Sequence, residues 1–292
     1  MERRTAARVC LVNAEGFTTH RPRLVGLAYR MLGSVAAAED VVQETWLRWA
    51  AADRVDHPAA WLSTVCTRLC LDEAKSARAR RETYVGPWLP EPWMGVAQPP
   101  GVLGESLTMA FLLLLQRLTP AQRAAWLLRE VFDQDYPHIA EVLAIRQPAA
   151  RQLVRRAREA VAAGRPRYEP DPEAHRAILA AFGVAAQTGD LESLERILAD
   201  DVVLTSDGGG QATAALRPVH GASAVARFFV GLARKLPPDT SLAPAWVNGG
   251  PGAVTRRGDG GVESVLTIEV TDGRVQAVYV VRNPAKLARV CR

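Results

Sequence analysis

No apolar run in this chain approaches the ~18 residues that a membrane-crossing helix needs. The longest, MAFLLLL at Met109–Leu115, stops at seven and is followed by polar residues. The opening MERRTAARVC carries charge with no long apolar stretch behind it, so no secretory signal is read. The expectation is a cytoplasmic protein with no membrane partner. Cysteine is scarce: Cys10, Cys66, Cys70 and Cys291, with no C-x-x-C pair. A disulfide framework does not suit that compartment, and a zinc site would need more ligands than His57 offers near Cys66 and Cys70. Those two, four apart, read as small buried side chains on one helix face. No metal site and no cofactor are expected.

What is present is an ordinary globular composition, 48% apolar and 23% charged over 292 residues, enough for two or three domains. The net charge of +5 is unevenly spread. Residues 1–167 carry 23 Lys+Arg against 17 Asp+Glu, whereas residues 168–292 carry 13 against 14. The excess lies in two clusters on helical patterns. Arg68, Lys75, Arg78, Arg80 and Arg81 form one; Arg146, Arg151, Arg155, Arg156, Arg158, Arg165 and Arg167 form the other. Two such clusters point to a phosphate backbone, although a charged run is more often a solvated helix face.

The chain divides by composition. Residues 17–81 read as helices: RPRLVGLAYRML ended by Gly33, then SVAAAEDVVQETWLRWAA with Ser34 as N-cap, then a helix opening near Pro58 with a stripe of Trp61, Leu62, Val65 and Leu69. A Pro/Gly-rich connector follows over 84–104. In its YVGPWLPEP stretch, three of nine residues are proline. Residues 105–163 are helical again, and RPRYEPDP is a second connector. HRAILAAFGVAAQTGDLESLERILADD reads as two helices. DVVLTS and SVLTIEVTDGRVQAVYVVRN then read as strands, with Asp272-Gly273 in a hairpin turn. The last block is therefore α+β.

The second basic cluster lies on a helix-turn-helix pattern. Leu118–Phe132 fits one helix. Asp135 caps a second over 136–144, and Pro148 opens a third that ends at Gly164. Two helices joined by a three-residue turn, the later one rich in arginine, suit insertion into a major groove. Gln147, Ala150, Arg151 and Gln152 are the expected base readers, and Arg155, Arg156 and Arg158 the expected phosphate contacts. An amphipathic helix of some other bundle would give a similar pattern.

Together these segments resemble a bacterial RNA polymerase sigma factor of the extracytoplasmic-function (ECF) group, within the sigma-70 family. AEDVVQETWLRWA resembles the region-2 helix that grips the core enzyme. Its Asp-x-x-Gln falls on Asp40 and Gln43, and Glu44 and Trp46 join that expected core-binding face. HPAAWLSTVCTRLCLDEAKSARARRE resembles the segment that reads and opens the −10 element, implying roles for Trp61, Arg68, Lys75, Arg78, Arg80 and Arg81. The arginine-rich helix resembles region 4, the reader of the −35 element; Arg146 stands where the family usually has an N-cap. WLPEP (Trp88, Leu89, Pro90, Glu91, Pro92), DGGG (Asp207, Gly208, Gly209, Gly210) and NPAKL (Asn283, Pro284, Lys286, Leu287) resemble a SigJ-like branch with a fused SnoaL-like domain.

The resemblance implies a multidomain fold. Two all-α domains, region 2 over 15–83 and region 4 over 105–165, are joined by the linker and followed by an α+β SnoaL-like cone over 173–292. It implies core RNA polymerase and promoter DNA as partners. The expected regulatory device is a docking strip. Proline rigidity lowers the cost of ordering the linker, and Trp88 and Trp93 offer apolar area. The glycine run permits close approach, and Lys286 is expected to meet Glu91. No catalytic residue is assigned. SnoaL-like folds also include cyclases and isomerases, for which Asp207 and His220 would be the candidates, but no dense cluster of acids and histidines supports acid–base work. A small-molecule ligand in the cone is a further option. A free monomer is expected, since no heptad pattern suggests dimerisation.

Overall fold

The fold is described from a computed structural model that covers residues 2–52, 55–94, 107–164 and 171–290. The chain forms two compact units, one of residues 1–80, 98–105 and 114–164, the other of residues 81–97, 106–113 and 165–292.

The first unit is helical. It contains α1 (Glu2–Leu32), α2 (Val35–Ala50), most of α3 (Pro58–Glu82), the end of α4 (Met109–Arg117), α5 (Pro120–Glu130), α6 (Tyr136–Val142) and α7 (Gln147–Gly164). Helix α1 begins well before residue 17, where the sequence pattern first becomes legible. Gly33, at φ 70°, ends it in the left-handed region that glycine tolerates. Ser34 caps α2 by accepting from the Ala37 amide at 3.3 Å. The single helix expected over 118–132 is shorter. Thr119 builds a capping box with Gln122, so α5 starts at Pro120 and Leu118 stays outside it. Asp135 caps α6 through the His138 amide at 2.9 Å.

The spacing of Ala150, Val154, Ala157 and Val161 puts one stripe of α7 inward. Ala150 and Val154 pack with Ala125 and Leu128 of α5 and Ile139, Ala140 and Val142 of α6. Arg123 of α5 is buried without a carboxylate among its hydrogen-bond partners here. It donates to the carbonyls of Leu115 and Leu118, at 2.7 and 3.2 Å, and to that of Met31. Those oxygens lie at helix ends, where carbonyls lack intrahelical donors. The regions on either side of the linker are thus tied together within this unit. Arg23 of α1 also donates to Val131 O at 3.0 Å and lies over the Phe132 ring.

The second unit is α+β. Helices α8 (Pro172–Thr188), α9 (Leu191–Ile197) and α10 (Ala222–Ala233) cover one face of a six-stranded sheet. Its strands are β1 (Leu198–Asp207), β2 (Val219–His220), β3 (Ser241–Val247), β4 (Gly250–Arg256), β5 (Val262–Thr271) and β6 (Arg274–Val281), in the order β2-β1-β6-β5-β4-β3. Only β1 and β6 run parallel; the other neighbours are antiparallel. A short α11 (Pro284–Leu287) follows. The hairpin at Asp272-Gly273 forms as expected, with both residues at positive φ. Strands β3 and β4 and helix α10 were not anticipated. Asn248-Gly249, also both at positive φ, is the turn that joins those strands.

Strand alternation gives the sheet two apolar faces. Leu266, Ile268, Val278 and Val280 join Phe182, Leu194, Val225 and Phe229 of the helices. On the other face Val254, Val265 and Val281 join Leu89, Met109, Leu287 and Val290. A strand pattern buried on both faces carries no polar alternation, which is why β5 reads as a near-continuous apolar run.

Candidate functional site

In the first unit, Asp40 and Gln43 are exposed on α2, one turn apart. Glu44 is half-buried and pairs with Arg48 at 3.1 Å. Trp46 faces the other way, its ring 5.0 Å from Phe17, and so packs the bundle. The residue that completes the exposed face is Leu47, 55% exposed and missed by the sequence reading. Its signal was the helical spacing 40, 43, 44, 47.

On α3, Trp61 stacks 5.5 Å from Trp49. Arg68 donates to the carbonyls of Glu141 and Val142, at 2.9 and 3.2 Å, at the end of α6. Thr64 meets His138 of the same helix at 3.2 Å. Lys75 is exposed beside Asp72 at 2.8 Å. The side chains of Arg78 and Arg80 lie outside the described residues.

On α7, Arg151, Gln152, Arg155 and Arg156 are exposed and Gln147 is half-buried. Ala150 corrects the sequence reading. It is 0% exposed inside the helix-turn-helix core, so it cannot meet a base, and its neighbour Ala149 is the exposed alanine. Helix α7 starts at Gln147, one residue earlier than expected, without a side-chain cap at Arg146 among its described contacts. Arg158 pairs with Glu130 at 2.7 Å rather than standing free for a phosphate.

In the second unit, the linker residues WLPEP, the DGGG loop and the NPAKL helix meet around one carboxylate. Asp207, at the end of β1, is 0% exposed. Its Oδ1 accepts from the Tyr84 hydroxyl at 2.6 Å, and its Oδ2 accepts from the Leu89 amide at 2.8 Å and from Lys286 Nζ at 2.7 Å. Lys286 also donates to Leu89 O at 2.5 Å. Asn283 donates from Nδ2 to the Tyr84 hydroxyl at 2.7 Å and caps α11 through the Ala285 amide. The ion partner of Lys286 is therefore Asp207. Glu91, which was expected to meet Lys286, lies 3.9 Å from Arg289.

The apolar side of the seam is as specific. The Trp88 ring lies between two cations, Arg81 Cζ at 3.6 Å and Lys286 Nζ at 4.4 Å from its centroid. Arg81, expected on the −10 element, is in this stack. Leu89 is fully buried among Val265, Val281 and Leu287, which contributes about 2 kcal/mol. Pro90 and Pro92 are buried as well. Beyond them, Trp93 and Asn248 exchange two hydrogen bonds, at 2.7 and 2.8 Å, and Met94 bridges to Val247.

The glycines have a steric reason. At Gly209, φ 59°, a Cβ would overlap Asn283 Nδ2 and lie 3.0 Å from the Tyr84 hydroxyl. At Gly210, φ 71°, it would lie 3.1 Å from Val85. At Gly208 it would overlap the Ala212 carbonyl. Burial, and then the Asp207 acceptor, raise the Tyr84 phenol above its ordinary range. Burial pushes the Lys286 ammonium down to about 8, while the Asp207 carboxylate pulls the other way.

A separate cavity of about 470 Å³ opens on the helical face of the same sheet, among α8, α10 and β3–β6. Neither Asp207 nor the exposed His220 lines it. Among the described residues no cluster of metal-binding side chains occurs, and no helix is long and apolar enough to cross a membrane.

Comparison with known proteins agrees with this division. The Sigma-70 region 2 family matches residues 17–80, and the Sigma-70 region 4 family matches residues 108–161. The chain is 41% identical over 286 residues to the ECF RNA polymerase sigma factor SigJ of Mycobacterium tuberculosis H37Rv, covering 92% of this chain and 91% of that protein. It is 32% identical over 275 residues to the probable ECF RNA polymerase sigma factor SigI of Mycobacterium tuberculosis, covering 92% of each. The crystal structure of the Mycobacterium tuberculosis SigJ protein superposes with a TM-score of 0.76 at 36% identity, over 94% of this chain and 98% of that one. With both sigma-70 regions matched in order and a relative so similar along nine-tenths of its length, the chain belongs to the extracytoplasmic-function RNA polymerase sigma factors.

Proposed function

We propose that this sigma factor directs core RNA polymerase to its promoters under the control of its own C-terminal α+β unit, which grips the linker. The observation that carries the control is the buried Asp207 carboxylate, which accepts from Tyr84 and Leu89 of the linker and from Lys286. The family supplies the rest of the reading. Asp40, Gln43 and Glu44, with Leu47, form the face offered to the polymerase. Trp61, Arg68 and Lys75, with Arg78 and Arg80, serve the −10 element, where a melted strand needs base pockets and cations along the backbone. Gln147, Arg151 and Gln152 read the −35 duplex, and Arg155 and Arg156 hold its phosphates. In the first unit Arg68 has its donors on α6 carbonyls, so DNA engagement requires that contact to open. The free protein acts as a cytoplasmic monomer and carries no catalytic group.

Run-off transcription with purified core enzyme, this protein and fragmented genomic DNA tests the reading, with the transcript starts sequenced. Discrete starts sharing −35 and −10 elements, absent without the protein, are expected. Trp88→Ala, and a chain truncated before Asn283, are expected to change the yield from those promoters. Unchanged yield in both would sink the regulatory half of the proposal and leave the sigma half standing.

A further inference from the structure

The cavity of about 470 Å³ lies within the size range of small-molecule sites. Its lining contains no Asp, Glu, His, Lys, Arg, Cys or Tyr. A charged ligand would lose its hydration there with no counter-charge to replace it, and no group is placed to move a proton. The polar atoms that face it are neutral. Thr255 and Ser264 stand opposite each other across β4 and β5. The Thr240 hydroxyl is buried and has no hydrogen-bond partner among the described residues. Phe182 and Phe229, edge to face at 4.8 Å, supply an aromatic wall.

Protein interiors are close-packed, so an open space of this size beside a hydrophobic core asks for a reason. Gly183 sharpens the point. It sits in the interior of α8, where glycine weakens a helix relative to alanine, and it lines this cavity and the adjoining groove along β3 and β4. A Cβ there would meet only the end of the Leu242 side chain, at 3.2 Å. The backbone therefore does not demand a glycine; its effect is to keep the wall open.

The floor of the cavity is also the back of the linker seam. Leu266 and Val280 face the cavity. The next residues along β5 and β6, Val265 and Val281, face Leu89, and Val281 pairs in register with Asp207. One strand thickness separates the two sites.

We propose that the cavity is an effector site for an uncharged, mostly apolar small molecule bearing one or two hydroxyl or carbonyl groups, and that its occupancy is transmitted through β5 and β6 to the linker. The binding half stands on the cavity alone; the transmission half rests on the linker-docking reading above.

The test uses the full chain and a matched pair of probes, 2-naphthol and 2-naphthoate, by isothermal titration calorimetry and thermal melting. 2-Naphthol is expected to bind saturably and raise the melting temperature, and 2-naphthoate to bind at least about tenfold more weakly because its charge is desolvated. Gly183→Leu fills the space and is expected to weaken 2-naphthol binding at least about tenfold while the chain still melts cooperatively. Ala186→Leu, on the same wall, serves if Gly183→Leu fails to fold. No saturable 2-naphthol binding, equal binding of the two probes, or full binding by the filled variant would each overturn the site.

Hydrogen exchange of residues 84–94 then reads the transmission, with at least about a threefold change in rate expected on saturation with 2-naphthol. Binding without that change overturns transmission alone. Linker amides that exchange at unprotected rates before any probe is added overturn the docking reading itself.

Discussion

Asp207→Asn is the most informative single change. It keeps the shape of the side chain and one carbonyl oxygen, but removes the charge. The wild-type carboxylate is fully buried and accepts three hydrogen bonds, one from the Lys286 cation. If the new amide nitrogen turns toward Leu89 and Lys286, donors face donors. If it turns toward Tyr84, that hydroxyl already accepts from Asn283 and loses its own acceptor. Either way Lys286, 12% exposed, keeps its charge without a counter-ion. Removing one partner of a buried pair costs about 3–5 kcal/mol. Because one acceptor survives, the lower figure applies, about 3 kcal/mol, which is a factor of roughly 100 in an opening equilibrium. The assay is hydrogen exchange at the Leu89 amide together with urea unfolding. The linker should lose about a hundredfold in protection, and the combined Asp207→Asn and Lys286→Met chain should be less damaged than the sum of the single changes. Leu89 exchange within about threefold of wild type, with additive single effects, would refute the claim that the carboxylate holds the strip.

Three further outcomes follow from the same geometry. Gly209→Ala places a Cβ against Asn283 at a φ of 59°, and should cost more than about 2 kcal/mol. Gly273→Ala, at a φ of 74° with nothing within 4 Å, should cost only about 1 kcal/mol in urea unfolding. Lys286 titrates near 8 in the folded chain against an ordinary 10.5. Between those values the unfolded chain binds more protons, so this group's contribution to stability rises with pH, and below about 8 its burial cost is fully present. The urea midpoint of wild type relative to Lys286→Gln, followed from about pH 7.5 to 10, should climb. Leu47→Ala, at an exposed position, should leave stability within about 0.5 kcal/mol while weakening pull-down by core RNA polymerase by more than about 1 kcal/mol.

Helix placement was largely legible, because its signals are local. Ser34, Asp135 and Gly33 set boundaries through hydrogen bonds and φ values that involve only near neighbours. The stripe on α7 was equally plain, yet its register was not. Assigning Ala150 to a base failed because a helix start displaced by one residue rotates every side chain by about 100°, and Ala150 turns into the core. Strands β3 and β4 were passed over although Asn248-Gly249 marks their turn. Their glycines, prolines and alanines give a weak β signal, and only pairing with β5 fixes them.

The sequence by itself determined the order of the modules, the charge of the DNA-facing helices and the three motifs that single out the linker, since each is written in contiguous residues. Only the tertiary structure decided how those motifs meet. Residue separations of 118 and 79 put the Leu89 amide and the Lys286 ammonium on one carboxylate, and no local pattern can assign such a partner. Glu91 and Asp207 were equally available to Lys286 on paper. Burial decided between them, because a carboxylate withdrawn from water needs every donor it can reach.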